Sequence, residues 1–205
     1  MPIDPLDLRV AELCALDYDG KATPTWDSPG LCRAFLHEEP SGLWVITEGT
    51  RPGKLCDWVQ DADAWAVRFD PSLGIMHYGF AEDAFSILFR IMAEHKNDEL
   101  NFGGHSKGAD EAEVLAAHWD LAGCKVGRVT ALEPARVGLL GGRIASKPGI
   151  STRVKSGLII DPVPALPGWL DHPRELTVLE AATRLLLPTD CHLLENVHAA
   201  MLAAA

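Results

Sequence analysis

The sequence predicts an α/β fold with a mostly parallel sheet flanked by helices. Short runs rich in β-branched and aromatic residues alternate along the chain with longer stretches whose apolar residues repeat at the helical period. With 205 residues, 47% of them hydrophobic and 23% charged, the composition is that of a globular protein large enough for one substantial core. Because no repeat, low-complexity tract or long polar linker divides the chain, we expect a single domain, with residues 1–40 peripheral and residues 43–200 forming its core.

Each element is predicted from its local pattern. An apolar run that ends at turn residues predicts a strand, as where residues 43–47 are followed by Glu48 and Gly49. Apolar residues spaced three and four apart between Phe80 and Ile91 predict an amphipathic helix. In chain order, we predict strands at 43–47, 64–69, 100–102, 126–132, 154–160 and 175–179, and helices at 80–96, 107–121 and 190–204.

The charge balance excludes one large class of partners. The chain carries 18 Lys and Arg against 29 Asp and Glu, a formal net charge of −11. Such a surface repels phosphate backbones and anionic headgroups unless a basic patch interrupts it, and the sequence shows no such patch. We therefore expect no nucleic-acid partner.

The cysteines and the first residues of the sequence indicate the cellular compartment in which the protein works. Five scattered cysteines form no C-x-x-C pair, which is typical of free thiols in a reducing environment. The first residues carry neither the basic nor the apolar region of a signal peptide, and no apolar run approaches the about 18 residues of a membrane span. We expect a cytoplasmic protein without stable membrane insertion.

A candidate nucleophile lies at Ser106. Gly104-His105-Ser106-Lys107-Gly108 fits G-x-S-x-G, the nucleophile elbow, in which a strand turns sharply into a helix with the serine at the apex. The glycines two residues on either side allow the strand and the helix to pass closely. A predicted strand precedes the motif and a predicted helix follows it, as the elbow requires. His105 is expected to point away from the serine hydroxyl and to be structural.

A nucleophilic serine needs a base, and the base needs an orienting carboxylate. Asp161 directly follows an apolar run and precedes Pro162, a position suited to a catalytic acid and equally common for a turn. Three later histidines are candidate bases. His172 lies in a polar loop and His198 lies within the last helix, where a packed histidine is common. His192, near the start of that helix, is the preferred base, with His198 as the second choice.

Five segments, in order, together resemble the class 3 lipases, the α/β-hydrolase family that includes the fungal triacylglycerol lipases. They cover most of the chain, and their order makes coincidence improbable. The segments are Thr47-Glu48-Gly49-Thr50 with Asp57-Trp58, His77-Tyr78-Gly79-Phe80, the Ser106 motif, Ala131 to Gly138 (ALEPARVG), and Asp161 to Pro167 (DPVPALP).

The resemblance implies a single-domain α/β-hydrolase and a role for each matching residue. Ser106 would be the nucleophile, Asp161 the acid and His192 the base. The backbone N–H groups of Lys107 and Thr50 would form the oxyanion hole, in which one donor is typically worth about 2.7–4 kcal/mol. Trp58 and His77 are candidates for the pocket wall or a lid.

The sequence departs from the family at two positions beside this site. The family usually has Arg before the Gly-Thr pair, where this chain has Glu48, and an apolar residue after the nucleophile, where Lys107 would place a charge at the mouth of the site. The segment at 51–60 is short and polar for a lid that docks on membranes. Soluble or small acyl substrates are therefore favoured over emulsified fat.

We conclude from the sequence that the chain is a serine hydrolase of carboxylic esters, an esterase or lipase acting on a small-molecule ester or lipid. No metal-ligand spacing such as H-E-x-x-H occurs, and we expect no metal or organic cofactor. Two alternatives remain open. One is a binding or interaction protein that retains the fold, and the other is an acyl transferase or thioesterase using the same three residues.

Overall fold

The computed structural model describes residues 2–18, 22–28, 32–49, 66–67, 70–166, 168 and 170–205. The helices are α1 (Pro5–Tyr18), α2 (Tyr78–His95), α3 (Lys107–Leu121), α4 (Pro188–His192) and α5 (Leu194–Ala204). The strands are β1 (Trp26–Asp27), β2 (Arg33–Glu39), β3 (Gly42–Thr47), β4 (Ala66–Val67), β5 (Met76–His77), β6 (Glu99–His105), β7 (Lys125–Leu132), β8 (Ser151–Ser156), β9 (Ile159–Ile160) and β10 (Leu176–Glu180).

The central sheet is mixed and mostly parallel, as the alternating pattern predicts. Its strand order is β1-β2-β3-β6-β7-β8-β10, with β9 paired to β8, while β4 and β5 form a separate two-stranded ribbon. Strands β3, β6, β7, β8 and β10 run parallel to one another, and β1, β2 and β9 are antiparallel additions. The carboxyl ends of β6 and β7 therefore meet at one edge of the sheet, where α/β proteins place their sites.

Helices cover both faces of the sheet. On one face, apolar residues of α2 and α3 such as Ile87 and Leu115 pack with Phe102 of β6 in the larger core cluster. On the other face, α1 and α5 pack in a second cluster, which includes Val10 and Met201. Trp44 and Trp119 are fully buried in these cores.

The structure differs from the predicted elements at two places that matter for the site. The expected strand at 154–160 is a hairpin, because Gly157 adopts φ +62° and turns the chain back from β8 into β9. The expected final helix is divided at Leu193, whose extended ψ of 130° separates α4 from α5. Of the predicted strand at 64–69, the described part is β4, and the rest lies outside the described residues.

Helix α1 and strand β2 are among the elements near the beginning that were not predicted. Helix α1 buries Asp7 and Asp17 together with its apolar residues, so its apolar period is interrupted. Strand β2 is polar along much of its length and buries only Ala34 and Phe35. Both elements contribute to the sheet and its helical layer although they lie within the first 40 residues.

Among the described residues, no helix is both long enough and apolar enough to cross a membrane. The four cysteines in the described ranges, Cys14, Cys32, Cys124 and Cys191, are free, and Cys56 lies outside those ranges.

Candidate functional site

The loop between β6 and α3 holds Ser106 in a strained conformation. Ser106 has φ 57° and ψ −131°, a region that L residues rarely adopt and that costs of order 1–3 kcal/mol. Its N–H donates to the carbonyl of Leu132 on β7 (2.9 Å), and its carbonyl accepts from Ala109 N–H (2.8 Å). The side chain is thereby presented at the amino end of α3, where backbone N–H groups are unpaired within the helix.

The two glycines of the motif allow this turn. A Cβ on Gly104 would lie 2.4 Å from the carbonyl carbon and oxygen of Gly108. A Cβ on Gly108 would lie 2.2 Å from the carbonyl oxygen of Thr47 and 2.8 Å from the nitrogen of Gly49. The close passage predicted for the strand and the helix is confirmed, and a third element, the end of β3, takes part in it.

Ser106, His192 and Asp161 form one chain of hydrogen bonds. The Ser106 Oγ lies 2.8 Å from His192 Nε2, and His192 Nδ1 lies 2.6 Å from Asp161 Oδ2. All three side chains are buried, with relative exposures of 0%, 2% and 0%. Because a carboxylate only accepts, Nδ1 carries the proton and Nε2 is free to accept from the serine hydroxyl. This arrangement can activate the hydroxyl as a nucleophile.

The structural element that positions Asp161 differs from the one expected. The sequence predicts that Asp161 follows a single strand at 154–160, but it follows β9, the antiparallel return of the β8 hairpin. Its N–H donates to the carbonyl of Val154 (3.1 Å), which draws it back beside β8. The N–H of Val163 donates to Oδ1 (2.9 Å), and Arg153 binds the Asp161 carbonyl (2.6 and 3.0 Å). Asp161 is therefore held through its carboxylate by Val163 and through its main-chain carbonyl by Arg153.

His105 holds the backbone of His192. Its Nε2 lies 2.8 Å from the His192 carbonyl oxygen, so Nε2 carries the proton and Nδ1 accepts from the Tyr18 hydroxyl at 3.1 Å. Burial, together with the neighbouring His192, lowers the pKa of His105 to about 3. The ring is neutral at ordinary pH and links α1, β6 and α4, in agreement with the structural role expected for it.

The side chain of Lys107 is engaged by carboxylates between α2 and α3. Its Nζ lies 2.6 Å from Asp83 and 3.1 Å from Glu111, and the side chain is 20% exposed. Burial alone would lower the pKa of Lys107, but the carboxylates of Glu111 and Asp83 outweigh it and raise that pKa. The positive charge expected at the mouth of the site is thus neutralised by two acids.

The other histidines considered from the sequence have different surroundings. His172 Nε2 lies 2.6 Å from the Pro164 carbonyl, and His198 lies on α5, six residues beyond His192. His77, a candidate for the pocket or lid, is the N-cap of α2, where its Nδ1 accepts from Phe80 N–H (3.5 Å) and its ring stacks on Phe80. Burial lowers the pKa of His77 to about 4. Thr50 and Trp58 lie outside the described residues.

Glu48, which stands where the family usually has arginine, pairs with Arg33 on the neighbouring strand β2. The Glu48 side chain is 6% exposed. The carboxylate at this position therefore has a guanidinium partner from another strand. The residues beside Gly49 remain tied to the sheet by an ion pair although the expected arginine is absent.

Glu133, which was not predicted as a site residue, lies beside this hydrogen-bonded chain. It follows β7, adopts φ 53° and is fully buried. One atom from each of Glu133, Asp161 and His192 can be chosen so that all lie within 4.8 Å of one another. The pattern that could have identified it is Leu132-Glu133-Pro134, an acid between an apolar strand and proline, as in Ile160-Asp161-Pro162.

Among the described residues, Glu133, Asp161 and His192 are also the group that geometry allows as ligands of a metal ion. Asp161 Oδ2 and His192 Nδ1, however, lie 2.6 Å apart, a hydrogen-bond distance. Two atoms that each bind a metal at about 2.0–2.2 Å in a tetrahedral site lie farther apart than this. The arrangement therefore fits a proton shared between ring and carboxylate and does not fit a cation between them.

No protein-family model matches this sequence, and no curated protein matches it. Solved structures of fungal proteins are nevertheless similar to it. A mutant form of MDLA from Penicillium cyclopium is 18% identical and aligns over 90% of this chain and 81% of its own, with a TM-score of 0.63. The Rhizomucor miehei triacylglyceride lipase is 16% identical over 84% of this chain and 79% of its own, with a TM-score of 0.62.

The mono- and diacylglycerol lipase from Aspergillus oryzae is 20% identical over 81% of this chain and 66% of its own, with a TM-score of 0.61. At such identities a structural likeness establishes the fold and leaves the activity to be argued from the site. The mostly parallel sheet, the helices on both of its faces and these neighbours together show that the chain has the α/β-hydrolase fold of the class 3 fungal lipases.

Proposed function

We propose that the protein is a serine hydrolase that cleaves carboxylic esters. The observation that carries the proposal is the continuous hydrogen-bonded chain from Ser106 Oγ through the ring of His192 to Asp161, with links of 2.8 and 2.6 Å. These are the distances required for a nucleophile, its base and the acid that orients the base. The fold of the neighbouring lipases favours an ester over other acyl compounds.

The mechanism follows from these contacts. Ser106 Oγ attacks the ester carbonyl while His192 Nε2 takes the hydroxyl proton, and Asp161 stabilises the imidazolium that forms. The N–H of Lys107, the first residue of α3, would donate to the oxyanion, and the resemblance to class 3 lipases implies the N–H of Thr50 as the second donor. His192 then protonates the departing alcohol, which leaves an acyl group on Ser106. A water molecule that gives its proton to His192 releases the acid and restores the serine.

The first test measures hydrolysis of p-nitrophenyl esters with short, medium and long acyl chains. We expect Ser106→Ala to reduce kcat by at least about 10³-fold and to abolish labelling by a fluorophosphonate probe. Wild-type rates in this variant would refute the proposal. If folded wild-type protein neither hydrolyses esters nor reacts with the probe, the chain is a binding protein with this fold. Hydrolysis restricted to thioesters would assign it to that class.

The second test assigns the base by a matched pair of variants. His192→Ala should lose activity to the same extent as Ser106→Ala, because it removes the only hydrogen-bond partner that the structure gives the Ser106 side chain among the described residues. His198→Ala, six residues later on α5, should retain wild-type kcat. Loss of turnover in His198→Ala with retention in His192→Ala would overturn the assignment.

A further inference from the structure

Glu133 is a buried carboxyl group that the proposed mechanism does not use. Three hydrogen bonds to β8 fix its position. Its Oε1 accepts from the Thr152 hydroxyl (3.1 Å), its Oε2 accepts from Val154 N–H (3.1 Å), and its own N–H donates to Thr152 Oγ1 (3.3 Å). With 0% exposure and a backbone in the left-handed region, the residue is held in a conformation that glycine would adopt more easily.

The two carboxyl groups at this place must share one negative charge. One carboxyl oxygen of Glu133 and one of Asp161 lie within 4.8 Å of each other, and both residues are fully buried. Two ionised carboxylates at such a place repel each other strongly, so one of them retains a proton. Each carboxyl group accepts two hydrogen bonds, so their number does not distinguish the two acids. Asp161, however, lies 2.6 Å from His192 Nδ1, on the ring that becomes cationic when the base takes a proton, and this favours the ionised form of Asp161. The proton of the pair therefore belongs to Glu133.

The direction of each pKa agrees with this assignment. Burial, and next the hydrogen bond with Asp161, raise the pKa of Glu133 well above its usual value. Burial alone would raise the pKa of Asp161 also, but hydrogen bonds from His192 and Glu133 outweigh it and hold that pKa below its usual value. Two neighbouring acids that titrate far apart are characteristic of functional pairs.

We propose that Glu133 is a positioning residue of the site, a neutral carboxylic acid that donates a hydrogen bond to Asp161 and keeps that carboxylate ionised and directed at Nδ1 of His192. The inference rests on the proposed function, in which Asp161 orients the base. With the proton on Glu133, the pair carries one negative charge, which matches the single positive charge of the imidazolium. A second negative charge would stabilise the imidazolium in the resting enzyme and withdraw the base from the reaction.

Three groups beside the pair keep the same charge throughout a pH measurement near neutrality. His105 is neutral because burial lowers its pKa to about 3. Burial raises the pKa of the Cys191 thiol, so that group is uncharged. The Arg153 guanidinium, bound to the Asp161 carbonyl, keeps its charge. These three groups therefore do not contribute to the acidic limb of the pH profile of kcat/KM.

Two substitutions of Glu133 separate positioning from simple packing. Glu133→Gln retains a neutral hydrogen-bond donor, so we expect kcat/KM within about threefold of wild type and an unmoved acidic limb. Glu133→Gly fits the backbone but removes the donor. We expect it to lower kcat/KM by about tenfold or more and to move the acidic limb to higher pH by about half a unit, because Asp161 without the donor attracts the imidazolium proton more strongly. Glu113→Gln, a buried acid on α3 bound to Ser151, is the matched control and should change neither quantity.

The results that overturn the inference are distinct. If Glu133→Gln moves the limb to lower pH, Glu133 was ionised, and if Glu133→Gln loses activity as Glu133→Gly does, a donor is not what matters. A Glu133→Gly enzyme with an unmoved limb has lost packing only. Circular dichroism and thermal unfolding establish that each variant is folded.

One readout does not depend on turnover. The infrared difference spectrum of wild type minus Glu133→Gly should contain the carbonyl band of a protonated carboxylic acid. Its absence refutes the inference even if the enzyme hydrolyses esters. Its presence in a protein that hydrolyses nothing and reacts with no fluorophosphonate shows that the proposed function, and not the proton on Glu133, is at fault.

Discussion

Gly108 lies where β3, β6 and α3 converge, and adding one methyl group there tests how tightly the elbow is built. In Gly108→Ala the new Cβ would meet the carbonyl oxygen of Thr47 at 2.2 Å, the nitrogen of Gly49 at 2.8 Å and the carbonyl carbon of Glu48 at 2.9 Å. All three are backbone atoms at the end of β3, so no side chain can rotate away. Either the helix or the end of that strand must move.

The magnitude is a balance of two opposing effects. Alanine is a better helix former than glycine by about 1 kcal/mol, which favours the variant. Overpacking in a rigid interior typically costs about 1–3 kcal/mol, and contacts with backbone belong at the upper end. We expect a net loss of about 2 kcal/mol, which lowers Tm by roughly 4–8 °C in a chain of this size. Since Gly49 precedes the proposed oxyanion donor, kcat/KM should fall by about 10²-fold.

Calorimetry and p-nitrophenyl ester kinetics measure both effects. Gly79→Ala on α2 is the control, because its Cβ would meet only His77 ring atoms at 3.5 and 3.6 Å, an ordinary contact. It should unfold at or slightly above the wild-type temperature. The reasoning is refuted if Gly108→Ala unfolds together with Gly79→Ala or retains wild-type kcat/KM.

Three further predictions concern stability. Burial raises the pKa of Glu113 from 4.5 to about 7, so the folded state retains a proton that the unfolded state loses, and this stability declines as pH rises through that window. Urea titrations measure the free energy of unfolding of Glu113→Gln and of wild type at pH 4.5 and pH 7. The variant should gain about 3 kcal/mol relative to wild type between these two pH values. A difference between the two proteins that does not change with pH would contradict this. Asp7→Ala removes the buried carboxylate that lies 2.8 Å from the Arg128 guanidinium, and it should lower the free energy of unfolding by about 3 kcal/mol. A loss below about 1 kcal/mol in the same urea titrations would be inconsistent with a buried ion pair. Phe102 is fully buried, and Phe102→Ala should lower the free energy of unfolding by about 3–5 kcal/mol. Phe89 is 71% exposed, and Phe89→Ala should change it by no more than about 0.5 kcal/mol. Similar losses for the two variants in thermal unfolding would argue against the described core.

The sheet and its main helices could be predicted because their patterns are local. Residues 107–121 have the helical period, and the predicted bounds of α3 agree with the structure. Helix α1 was not predicted because the partners of its buried acidic residues are distant in sequence. Asp7 binds Arg128 on β7, and Asp17 lies 3.1 Å from His37 on β2. Long-range pairs of this kind leave no periodic signal in the helix itself.

The residues of the candidate site could be predicted from the sequence to a similar extent as the fold. Ser106 could be located because its motif needs a turn of a specific shape, and Asp161 and His192 because chain order limits the choice. The hairpin that carries Asp161 was not predicted, since apolar residues continue through a single glycine at 157. Glu133 was missed because its partner, Asp161, is identified only when β7 and β8 lie side by side.

Left-handed backbone at Ser106 and Glu133 has a consequence for attempts to stabilise the protein. Glycine at φ 53° would relieve the steric conflict at position 133, but it would also leave the Thr152 hydroxyl and Val154 N–H without the carboxyl oxygens that they bind. The same replacement removes the carboxylic acid beside Asp161. At this residue the relief of backbone strain is therefore opposed by the loss of buried hydrogen bonds, and directed evolution of this chain would have to select for stability and turnover at once.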